Sequence, residues 1–307
     1  MVELQVSREL LDIVSSHTPR GDAGPTPQQI FEPQSIVTSI RIPRYDQHTH
    51  NTMFLRPAIK KLLPAKVRRS IGDFLVRHRE SRLAQLSIPE AFDEVYRKGM
   101  WKQGDAYSGL GSEGWMAESY VELVREYASK HNLRTAVDAG CGDFSVGSRL
   151  APSFDQYMAF DASPVIININ KQRYASLAQG NVSFAVADMT TTNFPRADLI
   201  LIRQVLQHLT NNQIERILQN LEASDWRRAL ITEDVHDPRD NQVANLDLPS
   251  HTVRTRVSLG SGVFIDKEPF SRPAKRIAII NDLSVNDGPH AGLLVCELTR
   301  DPETHRK

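Results

Sequence analysis

The chain has 307 residues, 40% of them hydrophobic, which is enough for a sizeable core and too many for a disordered chain. Lys plus Arg and Asp plus Glu each number 37, so the formal charge is zero and the basic excess of a dedicated nucleic-acid binder is missing. The two cysteines, Cys141 and Cys296, are too few for a four-cysteine zinc site or a secreted disulfide framework, and a reducing cytosol is the simpler compartment.

No apolar stretch reaches the ~20 residues that span a bilayer. The opening MVELQVSREL carries two acids and lacks the apolar centre of a signal peptide, so a cytoplasmic protein is expected. Residues 1–55 read as a partly disordered segment: a short helix over Glu3–Val14, then a stretch from Ser16 to Asn51 rich in Pro, Thr, Gln and Ser. Residues 56–112 read as a basic helical extension and lid. Arg56, Lys60, Lys61, Lys66, Arg68, Arg69, Arg77, Arg79 and Arg82 stand there against only Asp73 and Glu80, with Leu and Ile interleaved at helical spacing and Pro64 placed to kink the helix. Residues 56–82 suit peripheral contact with an anionic membrane or an acidic partner; the plainer reading is a solvated helix packed on the domain that follows. Ser87 has the position of an N-cap, with Pro89 in the first turn and Glu90 placed for a capping box on a helix to about Arg97. A second amphipathic helix is expected from Gly114 to His131.

From Thr135 onward apolar runs alternate with helical patterns. Strands are expected at Thr135–Ala139, Gln156–Phe160, Val182–Ala187, Ala197–Ile202, Arg228–Thr232, Arg276–Ile280 and Leu293–Leu298, with helices at Val146–Ala151, Pro164–Ala178 and Asn212–Ser224. This rhythm predicts an α/β fold, a doubly wound, mostly parallel, seven-stranded Rossmann-like sheet within a domain spanning 113–301. The short connection Asn281–Gly292 leaves little room for a crossover helix, so the last two strands should pair as an antiparallel hairpin.

The first strand runs into TAVDAGCGDFSVG, a turn bare enough to admit nicotinamide dinucleotide, a nucleotide phosphate or S-adenosylmethionine. A dinucleotide fingerprint would need its third glycine at position 145, which is Ser145, and a phosphate loop would need a lysine that the turn lacks. Asp138, two residues before Gly140, suits a cationic ligand better than a pyrophosphate. Asp161 and Asp188 close the next two strands, where carboxylates can accept from ribose hydroxyls and an adenine amino group.

In this order VDAGCGDFSVG, FDAS, ADM and ADLILIRQVLQHL resemble the class I S-adenosylmethionine-dependent methyltransferases of small-molecule type over roughly Thr135 to Asp234. The resemblance implies S-adenosyl-L-methionine as cofactor. It gives Asp138 and the Gly140–Cys141–Gly142 backbone to the methionine moiety, Asp161 to the ribose, and Asp188 with Met189 to adenine; Ala162 and Arg203 complete the expected cofactor contacts. Phe144 departs from the family pattern, standing where many members have a third glycine, and a slightly wider turn is expected there. Arg203-Gln204-Val205-Leu206 replaces the Asn/Asp-Pro-Pro-aromatic run of base N-methylating families, so a nucleic-acid partner is not expected and a small-molecule or glycan acceptor, methylated at oxygen, is.

His208 is the candidate catalytic base, with structural packing as the competing reading. Glu233, Asp234 and His236 form a second polar cluster able to orient an acceptor or hold a metal, although no metal site is assigned. Arg254 and Arg256, the Ser258–Phe270 segment, Tyr107–Ser112, Trp101 and Trp115 are further candidates for the acceptor pocket. Two other functions stay open: an NAD(P)-dependent oxidoreductase on the same fold, and a non-catalytic cofactor-binding module that docks through the basic helix.

Overall fold

A computed structural model describes residues 76–102, 107–112, 114–236, 243–280 and 291–300, all within a compact unit spanning Lys60–Lys307. The expected helix over Glu3–Val14, the irregular stretch to Asn51, the Pro64 kink and most of the basic run lie outside these residues. The described part opens with helix α1 (76–83), in which Arg82 pairs with Glu94 of the next helix. Helix α2 (Ile88–Arg97) starts as its sequence dictates: the Ser87 backbone N–H and hydroxyl both donate to Glu90 Oε2, at 2.9 and 2.7 Å, within a capping box. Helix α3 (Gly114–His131) has the expected bounds.

The sheet follows. Its strands are β1 (Thr135–Ala139), β2 (Gln156–Asp161), β3 (Val182–Val186), β4 (Ala197–Arg203), β5 (Trp226–His236), β8 (Lys275–Ile280) and β9 (Ala291–Thr299), in the order β3-β2-β1-β4-β5-β9-β8. β9 lies between β5 and β8 and runs antiparallel to both; the other neighbouring pairs are parallel. The last two strands are therefore the expected antiparallel hairpin, but with the final strand inserted and β8 at the edge. Between β5 and β8 the chain also forms a small parallel pair, β6 (Val243–Ala244) with β7 (Ser261–Gly262), which no alternation in the sequence announced.

Period-two alternation distributes the core. Val137, Ala139, Ile200, Ile202 and Ile231 point to one face, where Ile214, Ile217, Leu218 and Leu221 of helix α7 (Asn211–Glu222) cover them. Ala136, Leu199, Leu201 and Leu230 point to the other, against Tyr120, Val121 and Val124 of α3. The chain between β1 and β2 forms only one turn of α-helix, α4 (Gly147–Leu150), continued by a 3₁₀ turn. The helix expected over Pro164–Ala178 divides at Tyr174 into α5 (Pro164–Arg173) and α6 (Ala175–Ala178). No helix among the described residues is long and apolar enough to cross a membrane.

Candidate active site

The carboxyl ends of β1, β2 and β4, with the turn after β3, open onto a cavity of about 450 Å³. Asp138, Gly140, Cys141, Gly142, Asp161, Ala162, Asp188, Met189, Arg203 and His208 all line it, so the residues expected to contact the cofactor and the candidate base are brought to one hollow. This is the rim at which open α/β sheets take ligands.

The glycine turn needs its glycines. Gly140 and Gly142 sit at φ 76° and 54°, and a Cβ on Gly140 would come within 2.5 Å of Val205 Cγ2. Phe144 takes the left-handed conformation too, at φ 60°, which answers the expectation of a wider turn: the phenylalanine adopts the backbone of the glycine it replaces. That geometry costs about 1–2 kcal/mol for an L-residue. Burial offsets it, because the ring is fully enclosed by Tyr157, Tyr174 and Phe184 in edge-to-face contacts 4.8–5.8 Å between centroids. Gly147 supplies the space, since a Cβ there would strike the Phe144 ring and lie 2.6 Å from Asp138 Oδ2.

Asp138 is buried and accepts a hydrogen bond from Tyr157 Oη at 3.0 Å. Burial raises its pKa to about 6, with the Tyr157 bond and the Arg203 charge pulling the other way. Asp161 is also raised to about 6 by burial, although Gly142 and Ser163 donate their backbone N–H groups to its two oxygens at 3.1 and 2.9 Å. Asp188 spends Oδ1 on the Thr190 N–H and hydroxyl, both at 2.8 Å. Arg203 donates to the Gly111 carbonyl and lies 5.0 Å from the Tyr120 ring centre, while its buried Nε has no hydrogen-bond partner among the described residues.

A second wall of the cavity comes from Phe92 and Tyr96 of α2, then Met100, Trp101 and Val253. His208 stacks on Trp101 at 4.9 Å between centroids. Its Nδ1 is 3.1 Å from the Arg254 carbonyl oxygen, which can only accept, so Nδ1 carries the proton and Nε2 is the basic nitrogen of the neutral ring. Burial lowers its pKa to about 4. Three backbone donors hold the turn that carries it: Val205, Leu206 and Gln207 N–H groups all reach the Glu233 carboxylate, at 3.1, 2.8 and 3.0 Å.

The expected Glu233, Asp234 and His236 cluster is thereby dispersed. Glu233 caps backbone, with burial lifting its pKa to about 8, and His236 Nε2 lies 2.9 Å from the Val257 carbonyl oxygen. Among the described residues no group of three or more His, Cys, Asp or Glu is placed to hold a metal ion. Asp234 remains on the cavity and accepts from Gln204 Nε2 at 2.8 Å.

Other acceptor candidates fall away. Arg256 is 0% exposed and does not line the cavity; it clamps loops by donating to the Leu246 and Leu209 carbonyls and to Asn211 Oδ1. Arg254 faces Glu80 at 4.0 Å. Val263, Phe264, Ile265 and Phe270 of the Ser258–Phe270 segment belong to the core under the sheet, and Trp115 is 41% exposed away from the cavity lining. Sequence reasoning overlooked Asp143, which is buried and accepts the Tyr107 and Ser108 N–H groups at 2.8 and 3.2 Å on Oδ2, tying segment 107–112 to the glycine turn. It overlooked Gln204 and Gln207 as well; an apolar context, RQVLQHL, was the available signal.

Residues 136–224 match the family model described as a methyltransferase domain. The chain matches no curated protein. Among solved structures, the N-methyltransferase NodS from Bradyrhizobium japonicum WM9, in complex with S-adenosyl-L-homocysteine, is 17% identical, with a TM-score of 0.50 over 69% of this chain and 100% of that one. Magnesium protoporphyrin IX methyltransferase (ChlM) from Synechocystis PCC 6803, with bound S-adenosylmethionine, is 15% identical, with a TM-score of 0.45 over 70% and 99% of the two chains. At 17% identity the NodS likeness is one of fold. The matched family model gives residues 136–224 a methyltransferase domain, set in the Rossmann-like sheet.

Proposed function

We propose that this domain transfers the methyl group of S-adenosylmethionine to a hydroxyl oxygen of a small-molecule or glycan-like acceptor held against the Phe92–Trp101 wall. The observation that carries the reading is one continuous cavity lined at one part by three strand-end carboxylates and at another by an aromatic surface beside a neutral histidine. When bound, S-adenosylmethionine supplies a methyl group on a positively charged sulfur.

The residues present fit that cofactor. Asp138 accepts from the ammonium of its methionine moiety, and the buried Arg203 Nε–H, otherwise unpaired, is a donor for the carboxylate. A carboxylate offers about four acceptor positions. Asp161 takes backbone N–H groups of Gly142 and Ser163, with Ala162 also close, and its remaining capacity serves the ribose hydroxyls. Asp188 keeps Oδ2 for an adenine amino group, with Met189 packed beside it. The bare glycine turn admits close backbone approach.

On the acceptor side the aromatic wall orients a ring and excludes water. His208 Nε2 takes the proton that the acceptor oxygen sheds. A base with a pKa of about 4 suffices, because an oxygen that has gained a methyl while keeping its proton is a far stronger acid than imidazolium.

Titration calorimetry on the full chain tests the cofactor half: S-adenosylmethionine and S-adenosylhomocysteine bind, and NAD(P) gives no heat. The reverse pattern overturns the reading. Transfer of a labelled methyl to hydroxylated rather than amine acceptors tests the other half.

A further inference from the structure

Three amide and carboxyl side chains on the cavity wall are not used by the cofactor contacts above. Gln204 lies just beyond β4 at φ 54°, a left-handed conformation that a glutamine seldom adopts, with its N–H donating to the Thr232 carbonyl at 2.7 Å. Its side chain passes so close to Gly111 that a Cβ on that glycine would collide with it, and its Nε2 donates to Asp234 Oδ1 at 2.8 Å. Gln207 lines the same cavity, is 2% exposed, and its Oε1 has no hydrogen-bond partner among the described residues. A buried amide oxygen without a donor costs about 1–3 kcal/mol and calls for one.

The unpaired acceptor capacity here is the carbonyl of Gln207 and what the Gln204 and Gln207 side chains leave of the Asp234 carboxylate. A carboxylate or phosphate on the methyl acceptor would be repelled. Hydroxyls and ammonium groups both donate, but the Arg203 guanidinium already lies near enough to Asp234 to pair with it electrostatically. A second cation beside Arg203 and a sulfonium is disfavoured, whereas a neutral hydroxyl is not.

Resting on the reading of the cavity as an O-methyltransferase site, we infer that Asp234 and Gln207, with Gln204 as a positioning residue, hold a second, non-reacting hydroxyl of the acceptor. The substrate class is then a ring-bearing polyhydroxylated molecule, uncharged near the reacting oxygen. Aromatic side chains meet its ring, His208 meets the hydroxyl that is methylated, and the Asp234–Gln207 pair meets another.

The test uses the full chain saturated with S-adenosylmethionine for turnover, or with S-adenosylhomocysteine for binding, and four probes: phenyl β-D-glucoside, phenol, benzylamine and benzoate. Phenyl glucoside is expected to bind and accept methyl at least about tenfold better than phenol, with benzylamine and benzoate poorer still. Asp234→Asn, which preserves shape, and Gln207→Leu should each reduce the glucoside-to-phenol preference about tenfold, through KM rather than kcat, with S-adenosylhomocysteine affinity within twofold of wild type. An unchanged preference in both variants, a preference for benzylamine, or no binding of either hydroxylated probe overturns the subsite. If the cofactor itself fails to bind wild type, it is the methyl-transfer reading that falls, and the subsite with it.

Discussion

At the scale of single residues, His208 shows how burial selects between two roles for one side chain. The ring lies against Trp101 and under the Arg254 carbonyl, which a purely structural histidine could also do. It differs from one in lining the cavity. His208→Gln keeps a hydrogen-bonding side chain that cannot hold the proton. Labelled-methyl turnover should drop about a hundredfold while calorimetric affinity for S-adenosylmethionine stays put. Turnover near wild type would make the histidine structural. The same scale explains why Phe144 misled a reading of the motif: position 144 looks like a lost glycine, yet Phe144 retains the glycine-like φ and Gly147 yields the room for its ring. Only the third dimension shows that a constraint left one position and reappeared three residues on.

Among elements, the strands were legible because period-two alternation reports burial on each face directly, and β1 matches its expected bounds residue for residue. The capping boxes at Ser87 and Thr210 mark helix starts by the same kind of local chemistry. What stayed hidden is held by long-range polar contacts. Arg256 reads as surface charge until three distant carbonyl and amide oxygens converge on it, and Asn245, with Nδ2 donating to the Phe264 and Glu268 carbonyls at 2.8 Å each, fixes the loop beside β6 without any sequence pattern. Asp143 is the functional instance. Its carboxylate gathers the Tyr107 and Ser108 N–H groups, and its own N–H donates to Ser108 Oγ at 2.7 Å. Asp143→Ala should therefore release segment 107–112, speeding amide hydrogen exchange at Tyr107 and Ser108 and weakening S-adenosylmethionine binding by about 1–3 kcal/mol, with little change in exchange within β1 and β4. Unaltered exchange across 107–112 would show that other contacts suffice to hold it.

For the molecule as a whole, the cavity's carboxylates set a stability pattern opposite to the usual one. Asp138 and Asp161 have folded pKa values of about 6 against 3.8 for an unperturbed aspartate, so the stability they contribute is present in full below 3.8 and lost as pH rises through 6. His208, lowered from 6.5 to about 4, acts the other way: its contribution is present above 6.5 and lost as pH falls through 4. The melting temperature of the unliganded protein mixes these opposing slopes. The increment caused by ligand separates them, because a cationic ligand favours ionised Asp138 and abolishes its loss, while His208 contributes to free and bound states alike unless the ligand contacts it. At fixed S-adenosylmethionine, thermal stabilisation should thus grow from pH 5 to pH 7, with affinity tightening about tenfold per coupled carboxylate and protons released on binding near pH 6. Asp138→Asn, which cannot ionise, should flatten the rise and weaken binding at pH 7 more than at pH 5. Equal stabilisation at both pH values in the wild-type protein would mean that neither carboxylate faces the ligand's charge, and the cationic-ligand argument would lose its electrostatic basis.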